Sequence, residues 1–364
     1  MIMLLISILL LYAIGNVYVF IRAAEALASY PIRVRILLSI SYWLCAVSIF
    51  VVFALSRSLL NKGQLSFVYE IGSGWLVFIL YMTIALLVFD VVRLVYKPVP
   101  FSFHIACALT LSVLGYGYYN YLNPKVRTLD LTINKELSIP SLKVVGFSDV
   151  HLGIGTGNDK LQKYIEMVNA QNPDLIIISG DLIDNNVAPL YANDMDKLLA
   201  KFNAPMGIYM APGNHEYISG IDESIEFLKK TPIQLLSDTV VMLPNGIQIV
   251  GRDDRRIENR SSLQDLMKTV DPSKPIILID HQPYNLDETA EAGIDLQLSG
   301  HTHRGQIWPM NWIVDNLFEV SFGYEKRKES HIYVSTGLSL WGPPFRIGTD
   351  SEIVVFNITF GNNN

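Results

Sequence analysis

Residues 175–184 read LIIISGDLID, an aliphatic run that stops at a glycine followed by two carboxylates. The β-branched run predicts a buried strand, and Gly180 lets the chain turn sharply just before Asp181. Residues of metal-ligand type follow four other apolar runs, in the segments Asp149-Val150-His151, Gly213-Asn214-His215-Glu216, His281 and Gly300-His301-Thr302-His303. Because sites in open α/β sheets assemble at the carboxyl ends of strands, we expect these residues to meet.

The types of residue in these five segments indicate a particular chemistry. Carboxylate, amide and imidazole ligands together suit Mn, Fe, Co or Zn, and a carboxylate can bridge two ions. Two ions about 3.5–4 Å apart clamp a phosphate and lower the pKa of a bound water. Each segment alone could be an ordinary turn, but all five in this order, each after a predicted strand, favour a two-metal phosphoesterase site.

The pattern after residue 127 is typical of an α/β domain, with short β-branched runs alternating with amphipathic stretches. Predicted strands are Thr128–Ile133, Leu142–Phe147, Leu175–Ser179, Met206–Met210, Gln248–Gly251, Ile276–Ile279, Leu296–Leu298, Ile332–Ser335 and Ile353–Thr359. Predicted helices are Asp159–Ala170, Ala192–Lys201, Ile221–Lys229 and Ser262–Val270.

The five segments resemble the motifs of the calcineurin-like metallophosphoesterase superfamily, over about residues 128–364. The resemblance implies an α/β fold, a β-sandwich of two mixed sheets flanked by helices, and two divalent metal ions, with Mn, Fe, Zn and Co as candidates. It assigns Asp149, His151 and His303 to one metal, Asn214, His281 and His301 to the other, and Asp181 to both. His215 is then the residue beside the scissile phosphate, with Asp184 orienting it.

Departures from related subgroups narrow this expectation. Ser/Thr protein phosphatases of the superfamily continue the second motif with Arg-Gly, whereas Asn185-Asn186 follow Asp184 here, which argues against protein phosphatase activity. The chain is more similar to bacterial membrane-associated members with Gly-His-Thr-His-Gly-Gly-Gln, although Arg304 replaces a glycine. Arg304 and Arg346 are candidate phosphate contacts; a surface role for Arg304 and a structural ion pair for Arg346 are the alternatives.

The first part of the chain has a different composition. Residues 1–127 hold three acids and nine bases, which leaves 31 of the 34 acids and 19 of the 28 bases for the rest. An acidic domain of this kind disfavours nucleic acid as a partner. Four apolar stretches of about 20 residues predict membrane-spanning helices, at Ile2–Ile21, Ile36–Leu55, Trp75–Val95 and Phe103–Leu122. We therefore expect a transmembrane anchor domain over 1–124 and a catalytic domain over 125–364, with the bilayer as a partner.

Four spans would place the N-terminus and the catalytic domain on the same side of the membrane. Basic residues in the connections divide five against four, with Arg57 on one face and Lys97 on the other, so the side stays open. The arginines after the first span favour an extracytoplasmic catalytic domain by a small margin. In the third predicted span, Asp90 and Arg93 have the i, i+3 spacing that brings two side chains together on a helix. We favour an ion pair between them over a transport function for the intramembrane carboxylate.

Three functions stay open at this stage. We favour a bacterial membrane-bound phosphodiesterase or pyrophosphatase acting on a lipid-linked or nucleotide-linked phosphate. A broad-specificity phosphomonoesterase and a non-catalytic receptor or scaffold are the alternatives. An apolar stretch after His303, rich in Trp308, Trp312 and Phe318, either closes the core or forms a lip at the membrane. A tether of about six residues after the fourth span would hold the catalytic domain near the bilayer.

Overall fold

The computed structural model describes residues 2–55, 62–96 and 99–361, so Arg57 and Lys97 lie outside the described residues. The helices are α1 Ile2–Ala26, α2 Ile32–Leu55, α3 Lys62–Val95, α4 Ser102–Leu122, α5 Asn158–Asn169, α6 Ala188–Ala192, α7 Met195–Leu199, α8 Asn214–Ile218, α9 Ile221–Leu228, α10 Leu263–Met267, α11 Leu286–Glu291 and α12 Met310–Leu317. The strands are β1 Lys125–Ile133, β2 Ser141–Phe147, β3 Leu175–Ser179, β4 Ile208–Ala211, β5 Ile233–Leu235, β6 Thr239–Met242, β7 Gln248–Gly251, β8 Ile276–Ile279, β9 Leu296–Ser299, β10 Gly323–Arg327, β11 Ser330–Val334 and β12 Glu352–Phe360.

The chain divides into two compact units. The helical unit comprises Met1–Tyr119 and Gly342–Ile347, and the sheet unit comprises Asn120–Trp341 and Gly348–Asn364. A short segment from late in the sequence therefore belongs to the N-terminal helices. Within the helical unit, the backbone N–H of Arg346 donates to the carbonyl of Gly117 at 2.9 Å.

Among the described residues, three helices are long and apolar enough to cross a bilayer, Ile6–Ala26, Ile32–Val51 and Phe67–Val95. The prediction of a fourth span at Phe103–Leu122 is therefore corrected. Helix α4 forms there, but its second half carries four tyrosines and an asparagine, which lower its hydropathy. Two expectations assumed four spans. One placed the N-terminus and the catalytic domain on the same side of the membrane, and the other held the catalytic domain near the bilayer by a tether of about six residues. With three candidate spans among the described residues, neither expectation is supported.

Several polar groups of α1 and α3 in the helical unit are paired with one another. Asp90 accepts hydrogen bonds from Arg22 at 2.5 Å and from the Tyr18 hydroxyl at 2.6 Å, and Arg93 lies 3.6 Å away. Trp75 donates to the side chain of Asn16 at 3.0 Å. Polar groups inside an apolar helix bundle are costly unless they are paired, so these contacts stabilise the packing of α1 against α3.

The sheet unit is a sandwich of two mixed six-stranded sheets. The first sheet has the order β1-β12-β2-β3-β4-β5 and the second β10-β11-β9-β8-β7-β6. Buried aliphatic residues of both sheets, such as Val144, Ile177, Ile277 and Leu298, form the core between them. The runs predicted to be buried strands are apolar on both faces, because helices cover the outer face of each sheet. This arrangement confirms the predicted fold class.

Candidate metal centre

The strand ends bring the predicted ligands together. The neighbouring parallel strands β2 and β3 of the first sheet end just before Asp149 and Asp181, and β4 ends just before Asn214. In the second sheet, the parallel pair β8 and β9 ends just before His281 and His301. Donor atoms lie within 4.8 Å of one another in three groups, which are Asp149, His151 and His303; His151, Asp181 and His215; and Asp181, His281 and His301.

Asp181 lies between the two predicted ligand groups. Its Oδ2 atom is 3.2 Å from Nε2 of His281 and 3.9 Å from Nε2 of His151. Within the first predicted ligand group, Nε2 of His303 is 3.5 Å from Asp149 and 3.2 Å from Nε2 of His151. A carboxylate in this position can bind an ion on each side.

The backbone is strained at most of these positions. Five of the seven predicted ligands have a left-handed φ angle, between 46° and 70°, namely Asp149, His151, Asp181, His301 and His303. Residues other than glycine rarely adopt this conformation, and it persists only where the surrounding structure imposes it. Gly300 shows how tight the surroundings are, because a Cβ atom there would lie 2.5 Å from the Asp149 carboxylate.

The buried side-chain atoms of the predicted ligands that make no hydrogen bond among the described residues include two from the second ligand group, although one of them, Nε2 of His281, lies 3.2 Å from the Asp181 carboxylate. The side-chain oxygen of Asn214 and Nε2 of His281 are buried without a hydrogen bond. The other ring nitrogen of His281 lies 2.7 Å from the carbonyl of Ser179, an arrangement that turns Nε2 toward Asp181. Buried polar atoms are normally satisfied. These two, together with the mixed oxygen and nitrogen donors, fit divalent metal ions.

His215 lies beside the cluster and contacts Asp184. Its Nδ1 is 3.0 Å from the backbone carbonyl of Asp184 and 3.3 Å from that residue's carboxylate. Burial lowers the pKa of His215, but the hydrogen bond with Asp184 and the charges of Asp181 and Asp184 outweigh burial and raise the pKa to about 9. In contrast, burial and the neighbouring charge of His281 lower the pKa of His301 to about 4.

Glu216 has a structural function that the sequence analysis did not assign. The side chain is fully buried and accepts backbone hydrogen bonds from Asp181 at 2.9 Å, Ile183 at 3.0 Å and Gly213 at 2.7 Å. Burial, followed by the charge of Asp181, raises its pKa to about 7. Glu216 therefore ties the ligand turn after β3 to the ligand turn after β4. A signal was available, because Glu216 stands at the third position of the helix that follows Gly213, where a glutamate side chain can accept a hydrogen bond from the backbone N–H of the N-cap residue.

A family model described as calcineurin-like phosphoesterase matches residues 142–305. The chain is 36% identical to an uncharacterized metallophosphoesterase of Campylobacter jejuni, over 65% of this chain and 63% of the relative. It is 33% identical to an uncharacterized metallophosphoesterase of Helicobacter pylori, over 68% of each chain. The chain belongs to the calcineurin-like phosphoesterase family. A similar protein of Danio rerio, named transmembrane protein with metallophosphoesterase domain, is 32% identical over 68% of this chain and 61% of its own length.

Two arginines were predicted as substrate contacts of this phosphoesterase. Arg304 lies next to His303, but its guanidinium lies 3.5 Å from the ring centroid of Phe322 and its Nε 3.6 Å from Asp315. Arg346 is fully buried and belongs to the helical unit. Arg304 therefore has an aromatic and an acidic neighbour within the sheet unit, Arg346 is buried within the helical unit, and a function of either as a phosphate contact stays a prediction.

Proposed function

We propose that this protein is a membrane-anchored, two-metal phosphoesterase that hydrolyses a phosphodiester or a pyrophosphate on a lipid-linked substrate. The observation that carries the proposal is the convergence of Asp181 with five other acidic and imidazole ligands, beside the buried His215. The membership of the calcineurin-like phosphoesterase family supports the reaction type.

Each part of the site has a function in this reaction. Two bound divalent ions would neutralise the phosphate and supply a water of lowered pKa. Asp149, His151 and His303 would hold one ion, Asn214, His281 and His301 the other, and Asp181 both. His215, kept in place by Asp184, would donate a proton or a hydrogen bond to the leaving oxygen.

An exposed apolar surface on the sheet unit supports a lipid-linked substrate. Helix α12 begins seven residues after His303, and its side chains Trp312, Ile313 and Leu317 are 61%, 53% and 65% exposed. The exposure of these three residues favours a lip at the membrane over closure of the core for this helix face. An exposed apolar helix face with a tryptophan is typical of proteins that insert into a bilayer interface.

The reaction type is tested by turnover with added Mn²⁺ on bis(p-nitrophenyl) phosphate and on p-nitrophenyl phosphate. We expect the diester to be hydrolysed with the higher kcat/KM. A preference for the monoester would indicate a phosphomonoesterase instead. Binding of metal without turnover of either compound would indicate a receptor or scaffold.

The lipid-linked substrate is tested with a double variant, Trp312→Glu with Leu317→Glu. We expect hydrolysis of a lipid phosphodiester in vesicles to fall strongly, while turnover of bis(p-nitrophenyl) phosphate stays within about twofold. The matched control is Met242→Glu with Tyr191→Glu, which adds the same charges at other exposed apolar positions of this unit. Equal losses on the soluble and the vesicle substrate would refute the lipid surface.

A further inference from the structure

The strand β7 ends beside the metal centre without contributing a ligand. It pairs in parallel with β8, so its carboxyl end lies at the same edge of the sheet as His281. The residues that follow are Arg252-Asp253-Asp254-Arg255-Arg256, the start of a loop that runs to α10. This loop places basic residues where the neighbouring strands place metal ligands.

Arg255 and Arg256 differ from the other arginines of the sheet unit. Both are exposed, and among the described residues neither has a carboxylate within 4.0 Å. The other described arginines of this unit are all paired with carboxylates, Arg127 with Asp350, Arg252 and Arg260 with Asp280, Arg304 with Asp315, and Arg327 with Glu319. In a strongly acidic unit, two adjacent guanidinium groups without a carboxylate partner indicate an anion-binding function.

The loop is held firmly by its own carboxylates. Asp253 accepts hydrogen bonds from the hydroxyls of Tyr217 and of Ser237, the latter at 2.7 Å. Asp254 is buried and accepts hydrogen bonds from Gln282 at 2.7 Å and from the backbone N–H of Arg256 at 3.0 Å. Tyr217 is on the helix that begins with Asn214, and Gln282 directly follows His281. The arginines are therefore positioned by residues next to the metal ligands.

The same two arginines contact the ligand region from outside. Nη1 of Arg256 donates to the backbone carbonyl of Asn214 at 3.1 Å. The guanidinium of Arg255 lies 4.1 Å from the ring centroid of Tyr284, which packs on Phe318 at 5.1 Å. Phe318 in turn lies 6.0 Å from the ring of His301. Arg256 thus contacts Asn214 directly, whereas Arg255 is linked to His301 through the rings of Tyr284 and Phe318; Asn214 and His301 are assigned, with His281, to the same metal.

The loop carries carboxylates as well as guanidinium groups. Asp253 and Asp254 bring two negative charges, while Arg252 and Arg260 share the single carboxylate of Asp280 and leave one positive charge over. The positive charge that Arg252 and Arg260 leave over offsets the negative charge of one loop carboxylate, Asp253 or Asp254. Glu258 in the loop and Asp238, which accepts the backbone N–H groups of Asp253 and Ser261, add two more carboxylates, so this region has no net positive charge. Arg255 and Arg256 are distinguished instead by their exposure and by the lack of a carboxylate within 4.0 Å among the described residues.

We propose that Arg255 and Arg256 bind a second phosphate group of the substrate, so that the site selects a diphosphate linkage over a simple phosphodiester. This inference rests on the proposed function, in which the metal ions bind the phosphate that is attacked. Guanidinium groups bind phosphate oxygens through paired, charge-assisted hydrogen bonds. Water adds its oxygen to one phosphorus, the bond from that phosphorus to the bridging oxygen breaks, and two phosphomonoesters are released, with a proton taken up by the former bridging oxygen.

The test compares bis(p-nitrophenyl) phosphate with P1,P2-bis(p-nitrophenyl) diphosphate in the presence of Mn²⁺. In Arg255→Gln with Arg256→Gln, we expect KM for the diphosphate to rise about 10-fold to 100-fold, as expected for lost hydrogen bonds to charged groups. The KM for the monophosphate diester should stay within about twofold. The matched control is Lys229→Gln with Lys268→Gln, which removes two positive charges from exposed helix positions paired with Glu226 and Asp265.

A binding measurement separates this inference from the proposed function. With Mn²⁺ in excess, calorimetry would compare imidodiphosphate, which is not hydrolysed at its P–N–P linkage, with inorganic phosphate. Tighter binding of imidodiphosphate that is lost in the double arginine variant would support the inference even if neither substrate were turned over. Equal binding of both anions by the unaltered protein, or an equal loss for both in the variant, would overturn it.

Discussion

The first sheet supplies all three predicted oxygen ligands of the site and one histidine, His151, while the second supplies three histidines. Asp149, Asp181 and Asn214 follow strands of the first sheet, and the three histidines 281, 301 and 303 follow strands of the second. The loop with Arg255 and Arg256 also follows a strand of the second sheet. The carboxylates among the predicted ligands therefore come from the first sheet, and the exposed arginines come from the second. Both sheets supply predicted metal ligands, four residues from the first and three from the second, while the arginines proposed to bind a second phosphate come from the second alone.

Replacing Asp181 should have the largest effect, because this carboxylate from the first sheet contacts histidines of both predicted metals. In Asp181→Asn, we expect less than about one ten-thousandth of the original kcat, with loss of metal measured by elemental analysis. The exposed Asp265→Asn serves as the control for a lost negative charge. Unchanged turnover after EDTA treatment would contradict the requirement for metal.

Replacing His215 should separate chemistry from metal binding. The ring contacts Asp184, and its donor atom also lies within 4.8 Å of those of His151 and Asp181, so a ligand function is the alternative that this variant tests. In His215→Ala, we expect kcat to fall by about 10²-fold to 10⁴-fold, the range for a lost acid–base group, with metal content unchanged. If metal content fell in proportion to kcat, His215 would have to be reassigned as a ligand.

The buried strands could be predicted from the sequence because they are apolar on both faces. The strand predictions Leu175–Ser179, Gln248–Gly251 and Ile276–Ile279 coincide with β3, β7 and β8. The strands that were missed, β5, β6 and β10, lie at the edges of the sheets. Edge strands are often short or charged, as Gly323–Arg327 shows with Glu325 and Lys326, and this weakens the sequence signal.

The candidate ligands could be predicted because each follows an apolar strand within a compact motif. Contacts that depend on the packing of distant segments could not be predicted in this way. The triple backbone contact of Glu216 and the position of Arg256 over Asn214 bring together residues up to 42 positions apart. The strand Gln248–Gly251 was predicted, but a function for Arg255 and Arg256 after it was not, because this segment contains no histidine to mark it as part of a metal site.

Replacing Glu216 tests whether the two ligand turns of the first sheet are held together by this side chain. In Glu216→Gln, an amide N–H₂ group replaces an oxygen that accepts backbone N–H groups, so one or more buried donors lose their partner. We expect the free energy of unfolding to fall by about 1–3 kcal/mol, with weaker binding of Mn²⁺.

A second buried glutamate provides the control for Glu216. Glu352 accepts hydrogen bonds from the Tyr333 hydroxyl at 3.0 Å and the Thr336 backbone at 3.1 Å, and it is not among the predicted ligands or their partners. Denaturant unfolding should show a loss of stability in Glu352→Gln as well, but its affinity for Mn²⁺ should be unchanged. Equal Mn²⁺ affinities in the two variants would mean that Glu216 has no specific function at the site.

The smallest expected effect concerns Ser148, whose hydroxyl donates to the carboxylate of Asp149. Such a contact holds a ligand in its binding orientation, and its loss typically weakens metal binding about 10-fold to 100-fold. In Ser148→Ala, we therefore expect this loss in Mn²⁺ affinity, measured by calorimetry, with recovery of turnover at high Mn²⁺. Ser330→Ala is the matched control, because the Ser330 hydroxyl is also buried but donates to the carbonyl of Ile294 in the second sheet. If both variants lost the same Mn²⁺ affinity, general loosening of the fold would explain the effect, and the orientation of Asp149 by Ser148 would be refuted.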